Sequence, residues 1–249
     1  MQTAVRSWAF LGYDGSMESI RLNKYLAQQG VASRRAIDQM IVDGKISVNG
    51  ETVSGLGIKI DPDKDKVLVS GKSFKPPERL VYILLNKPEG YVASAKKTEQ
   101  APAIVLDLVK VPERIFPIGR LDKDTSGLLL LTNDGDLALK LTHPRYESDK
   151  EYEVMVKGNI TPEHVREFEK GVSLWGRRTN PAKVEVFASN QMRLTITEGK
   201  NRQIRRMCDK LGIPVITLRR VRIKNLRLGQ LSLGHWRYLK PEEVEALKK

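Results

Sequence analysis

A single cysteine, Cys208, leaves this chain of 249 residues unable to build an intramolecular disulfide framework or a cysteine-ligated zinc site, and it suits a reducing, cytoplasmic setting. Histidine is almost as scarce. His143, His164 and His235 stand far apart without ligand-like spacing, which argues against a histidine-based metal centre or a catalytic triad. Apolar runs are short: the longest candidates, residues 81–85 and 128–131, are strand-sized, whereas ~20 consecutive apolar residues are needed to span a bilayer. Residues 1–16 hold no uninterrupted apolar stretch before a small-residue cleavage site, so they read as a tail rather than a secretory signal. Nucleotide-binding signatures are missing too. GVSLWGRR at 171–178 imitates the opening of a phosphate-binding loop but lacks the Lys-Ser/Thr pair, and no GxGxxG follows a strand. ATP, GTP, nicotinamide and flavin chemistry are therefore not indicated.

Acidic residues are also in deficit, 30 against 43 Lys and Arg, which leaves a formal charge of +13. A polyanion is the partner class such a surplus favours. Nucleic acid and an acidic membrane surface both meet that description, and the lack of a spanning segment weighs against the membrane. Hydrophobic residues make up 40% of the chain, enough for a packed core.

The polar, proline-stiffened stretch SGKSFKPPER marks a join, with a linker at about residues 71–79. Ahead of it, Ile20, Leu22, Leu26 and Ala27 form a helical stripe that ends at Gly30, and Ile37, Met40 and Ile41 share one face of a second helix. Residues 45–48, Asn49-Gly50 and 51–53 read as a tight hairpin. Ser33 is a good cap for the second helix, yet Arg34 and Arg35 follow it and oppose the helix dipole. Two readings stay open: a pair of solvated arginines, or a phosphate site in which guanidiniums and free backbone N–H groups act together.

RLNKYLAQQGVASRRAIDQMIVDGKISVNGETV resembles the S4 RNA-binding domain, over residues 17–70 of this sequence. The resemblance implies a helix pair with a small sheet that grips folded RNA, and it favours the phosphate-binding reading of Arg34 and Arg35.

Beyond the linker, residues 80–249 alternate strand-like runs (81–85, 128–132, 152–156, 182–187, 192–197) with polar connections and a few helices. An α+β domain on a larger mixed, mostly antiparallel sheet is expected. FPIGRLDKDTSGLLLLTNDGDL sets Asp122 in a polar turn directly ahead of an apolar strand, a rigid base from which to project a carboxylate. On spacing alone, the favoured reading is that Asp122 and Asp124 are turn-formers and Thr132-Asn133-Asp134-Gly135 a turn into a helix.

GRLDKDTSGLLLLTNDGDL is similar to the signature of the ribosomal-RNA pseudouridine synthases that carry an S4 domain, the RsuA/RluB-like family. The likeness extends to LLNKPEGYVAS, KEYEV at 150–154, EGKNRQIRRM at 198–207 and LGQLSLGHWRYL, and so covers residues 80–240. It implies isomerisation of a uridine in ribosomal RNA, free or in an assembling particle, without cofactor, metal or obligate protein partner. Asp122 would be the nucleophile, Arg205 its charged partner, and Tyr152 the ring that stacks on the base. Ile204 would wall the uracil pocket, with Arg120 beside the opened nucleotide. TSGLLLLTNDG and LTHP lean toward members acting on large-subunit rRNA over small-subunit rRNA.

Residues 200–227 contain ten basic side chains and one acidic one. A solvated charged face is one explanation. The apolar residues between them favour a basic face presented to RNA, with Lys200, Arg202 and Arg206 among the contacts. Two rivals to the synthase reading remain: a non-catalytic RNA-binding or ribosome-assembly factor, and a glycosidase using Asp122 and Asp124 as an acid/base pair.

Overall fold

The structure is a computed structural model in which residues 19–74 and 79–249 are described. The chain divides into two compact units with the break between residues 78 and 79. The expected tail, 1–16, and residues 75–78 of the expected linker lie outside the described residues.

In the first unit the elements are β1 (Ile20–Arg21), α1 (Leu22–Gln28), α2 (Arg34–Val42), β2 (Ile46–Val48), β3 (Glu51–Thr52), β4 (Lys59–Ile60) and β5 (Val67–Val69). Leu22 and Leu26 of α1 and Ile37 and Ile41 of α2 repeat at four-residue spacing, so each pair lies on one face, and all four are buried together. Ser33 caps α2 by accepting a hydrogen bond from the Ala36 amide at 3.2 Å. Strand β2 pairs antiparallel with β3 and with β5. The turn from β2 to β3 runs through Asn49 and Gly50 at φ 54° and 89°, the left-handed geometry that a two-residue hairpin needs.

The second unit contains β6 (Tyr82–Lys87), β7 (Phe116–Ile118), β8 (Ser126–Thr132), α3 (Gly135–Thr142), β9 (Lys150–Val156), α4 (Pro162–Lys170), β10 (Ser173–Leu174), β11 (Arg177–Arg178), β12 (Lys183–Ala188), β13 (Gln191–Ile196), α5 (Gln203–Lys210), β14 (Val215–Ile223), β15 (Leu226–Arg227), β16 (Trp236–Tyr238) and α6 (Pro241–Lys248). Nine of these strands form one sheet in the order β12-β13-β9-β14-β8-β6-β16, with β15 beside β14 and β7 beside β8. Every pairing in it is antiparallel except β14 with β8.

Strand β8 lies inside the sheet between β14 and β6, and that position explains its leucine run. Leu129 and Leu131 enter one core and Leu128 and Leu130 the other, so a sheet covered on both faces asks for continuous apolar sequence rather than alternation. One edge of β8 is shared by two neighbours. Its first residues, Ser126 and Gly127, pair with Arg219 and Arg220 of β14, and Leu130–Thr132 pair with β7. The sheet forks between them, and the loop from β7 to β8, residues 119–125, stands over that fork. Gly127 is required there: at φ 103° a Cβ would lie 2.2 Å from the Arg220 carbonyl oxygen.

The segment 171–178 that imitated a phosphate loop is the β10–β11 hairpin.

Candidate active site

Residues 119–125 are held by an unusual side chain. Lys87, the last residue of β6, has no exposed surface. Its ammonium donates to the carbonyl oxygens of Thr125 at 2.7 Å, Pro88 at 3.0 Å and Asp122 at 3.1 Å, with Lys123 at the outer limit of 3.5 Å. Burial pushes Lys87 down to about 8, against the nearby charges of Glu89, Asp124 and Asp122 that favour its protonated form. The carbonyl ring also favours the ammonium, since a charged donor makes the stronger hydrogen bonds. Thr125 N–H closes the turn onto the Asp122 carbonyl at 3.1 Å.

The loop thereby presents Asp122, with a third of its side chain exposed, to a cleft of about 780 Å³. Tyr152 of β9, at 8% exposure, and Ile204 of α5 line the same cleft, and Arg120 stands exposed in its wall. Asp122 and Arg120 of the loop, Tyr152 and Ile204 are thus brought together from three parts of the sequence.

Arg205 departs from expectation. Instead of the Asp122 carboxylate it engages Asp124, Nη2 donating to the Asp124 carbonyl at 2.5 Å and Nε lying 3.4 Å from Oδ2. Its charge is met by the Asp124 carboxylate. Arg202 is bidentate to the Asp124 carboxylate at 2.9 and 3.0 Å and reaches within 4.0 Å of Asp122 Oδ2. Burial opposes the Asp124 charge, but the Arg202 hydrogen bonds and the Arg205 and Arg202 charges outweigh it and hold the carboxyl below its usual value. Arg202 itself has φ 50°, a left-handed conformation that costs a residue with a Cβ on the order of 1 kcal/mol, and its ion pair with Asp124 offsets that cost. Asp124 therefore clamps α5 to the loop.

The basic run 200–227 is only partly the solvated or RNA-facing surface expected. Arg205 and Arg220 are buried. Arg222 pairs with Asp149 and Glu151, Arg227 with Glu151, and Arg219 with Glu153. These carboxylates lie on β9 or immediately before it, and cross-strand pairing could not be read from a local charge count. Lys200 lines the cleft and pairs with Glu198 at 3.0 Å, while the exposed Arg206 lies over the Trp175 ring at 5.3 Å. In the first unit, Arg34 and Arg35 are exposed in the opening turn of α2, which holds no acidic residue.

Sequence reasoning missed Lys87 and Arg220. The available signal for Lys87 was its place at the end of a strand that begins with the apolar run of 81–85, directly before a proline. Among the described residues no cluster of three or more His, Cys, Asp or Glu could hold a metal ion, and no helix is long and apolar enough to cross a membrane.

Comparison with known proteins decides the family. The profile described as RNA pseudouridylate synthase matches residues 81–210, and the S4 domain profile matches residues 20–72. The chain belongs to the RNA pseudouridylate synthase family. It is 45% identical to ribosomal large subunit pseudouridine synthase B of Bacillus subtilis over 92% of this chain and 95% of that one. To the dual-specificity RNA pseudouridine synthase RluF of Escherichia coli it is 42% identical, over 91% of this chain and 77% of that one. A solved pseudouridylate synthase structure superposes with a TM-score of 0.68 at 31% identity, over 92% of this chain and all of that one. The S4 domain and the α+β catalytic domain expected from the sequence are thus both present in this synthase.

Proposed function

We propose that this chain isomerises a specific uridine of ribosomal RNA, in the large subunit, to pseudouridine, with Asp122 as the nucleophile and the cytoplasm as its setting. The observation that carries this reading is the Asp122 loop: a carboxylate fixed through its own main chain by a buried lysine, at a cleft of nucleotide size that also holds Tyr152 and Ile204. The names of the Bacillus and Escherichia relatives support the choice of substrate.

The reaction breaks C1′–N1, turns the base, and joins C1′ to C5. A proton is lost from C5 and one gained at N1, so no redox partner or phosphoryl donor is consumed. The target lies inside a stacked helix until it is flipped out, at a cost on the order of a few kcal/mol. Contacts to the phosphate backbone at the cleft supply that energy, with Lys200, Arg202 and Arg206 as the assigned contacts, while Arg34 and Arg35 on the S4 domain are assigned to hold the RNA. Once the nucleotide is seated, Tyr152 stacks on the base, Ile204 bounds it, and Arg120 faces the opened strand. Arg205 acts on Asp122 through Asp124 and Arg202, keeping positive charge beside a carboxylate that must remain ionised.

The test is to incubate the purified protein with unmodified large- and small-subunit rRNA and map pseudouridine by carbodiimide-dependent primer-extension stops. A new stop on large-subunit rRNA alone is expected. A stop confined to small-subunit rRNA would overturn the substrate assignment, and RNA binding without any stop would favour a non-catalytic binding factor.

A further inference from the structure

Arg220 sits on β14 directly across from Tyr152 on β9 and is 3% exposed. A guanidinium carries five N–H donors, yet among the described residues this one makes a single hydrogen bond, from Nε to the Leu128 carbonyl at 2.8 Å, at the fork where β14 leaves β8. Its Nη2 is buried with no acceptor among the described residues. Lys150 lies two residues before Tyr152 on β9, so the two side chains share a face of the sheet. Its ammonium donates to the Ser148 carbonyl at 2.6 Å. Burial and the Arg220 charge push Lys150 down to about 8; Asp149 opposes this, but its carboxylate pairs with Arg222 at 2.6 Å. Neither Arg220 nor Lys150 has an ion pair among the described residues, and both line the cleft that holds Asp122.

Two cations held together in one wall, short of acceptors, are costly unless something arrives to satisfy them. An oxygen with negative charge is the chemistry they would take. A flipped nucleotide offers two sources, its phosphate and its base. Depth separates them: a phosphodiester stays hydrated at a cleft mouth, whereas Arg220 is almost wholly enclosed on the strand pair that carries Tyr152, where the planar base reaches. We infer that Lys150 and Arg220 form an oxyanion site for a carbonyl oxygen of the flipped uracil.

The inference rests on the synthase reading and adds a role in the chemical step. When C1′–N1 breaks, its electron pair leaves with the base and spreads from N1 onto O2 and O4. The uracil anion is then held while it turns, C5 bonds to C1′, and the proton lost from C5 balances the one gained at N1. Donors that meet charge only as it develops lower the barrier more than they tighten binding.

The experiment combines protein and substrate changes, using the full chain and an RNA stem-loop carrying the mapped uridine. Single-turnover rates are measured for wild type and Lys150→Met on RNA with uridine, 2-thiouridine or 4-thiouridine at the target, and with a methylphosphonate at the adjoining linkage. Lys150→Met is expected to slow the reaction about 100-fold, the scale of losing one oxyanion donor, with Kd for RNA changed less than about twofold. Lys150→Arg should restore most of the rate. Sulfur accepts hydrogen bonds poorly, so one of the thio substrates should slow wild type and slow Lys150→Met markedly less. Arg220→Lys, checked for an unchanged melting profile, should show the same coupling. Losses that multiply independently with both thio substrates would overturn the inference, as would coupling to the methylphosphonate alone, which would assign the cations to phosphate. A wild type that makes no pseudouridine in any rRNA would instead remove the synthase reading itself.

Discussion

Lys87 holds Asp122 by its main chain rather than by its carboxylate: the ammonium donates to the Asp122 carbonyl oxygen at 3.1 Å from a side chain with no exposed surface. The carboxylate is left free to face the cleft while the backbone that carries it cannot drift. Charge is used here to fix position.

Lys87→Met keeps the bulk of the side chain and takes the ammonium from the carbonyls of residues 88, 122 and 125, of which, among the described residues, only the Asp122 oxygen keeps a second donor, the Thr125 N–H. Leaving buried acceptors unpaired costs about 1–3 kcal/mol each at most, so the variant should fold with a lowered denaturation midpoint. A misplacement of the nucleophile by ~1 Å is enough for about a 100-fold loss, and single-turnover pseudouridine formation should fall by that order while RNA binding holds. Unchanged turnover would mean that the loop keeps its shape without the lysine.

The same group gives a signed pH effect. Folded, Lys87 is pushed down to about 8, while the unfolded chain carries it at an ordinary value near ~10.4. Between those limits the unfolded chain binds more protons, so the native state gains stability as pH rises through the window. Lys150, shifted the same way, leaves part of this gain in place when Lys87 is removed. Denaturant midpoints should therefore rise less in Lys87→Met than in wild type between about pH 7 and about pH 9, roughly one unit either side of the shifted value. Equal gains would show that the carbonyl ring keeps Lys87 charged throughout.

Gly127→Ala tests the fork. The added methyl would meet the Arg220 carbonyl oxygen at 2.2 Å and its amide nitrogen at 2.7 Å, at φ 103°. Separating β8 from β14 there should cost about 2–3 kcal/mol and reduce activity, because the Asp122 loop runs straight into this residue. Thermal denaturation reads the first effect, and a melting temperature within a degree or so of wild type would contradict the close approach.

Much of this was legible in the sequence because it is local. The Asn49-Gly50 hairpin, the Ser33 cap and the turn at Asp134, whose carboxylate caps α3 through the Asp136 and Leu137 amides at 3.0 Å, follow from residue types at short spacing. So does Asp122 on a turn ahead of β8. What stayed hidden depends on pairing across long separations. Gly127 reads as an ordinary glycine until Arg220 packs on it, and Lys87 reads as a surface lysine until residues 122–125 close around it. Arg202, Arg205 and Asp124 form one clamp although 78 residues separate Arg202 from Asp124.

Arg34 and Arg35 carry a prediction about binding alone. Changing both to Ala should weaken RNA affinity and lower the slope of log K against log salt by roughly 1–2, with the single-turnover rate at saturating RNA unchanged. An unaltered salt slope would return them to the class of solvated surface arginines.

The most direct test follows tritium released from RNA labelled at C5 of uridine, since every turnover must expel the C5 hydrogen. Wild type should release tritium from unmodified large-subunit rRNA in proportion to the pseudouridine formed, and Asp122→Asn should release none while binding the same RNA with an affinity within about tenfold. Release by Asp122→Asn at the wild-type rate would contradict the assignment of the nucleophile and, with it, the account of why Lys87 holds that loop.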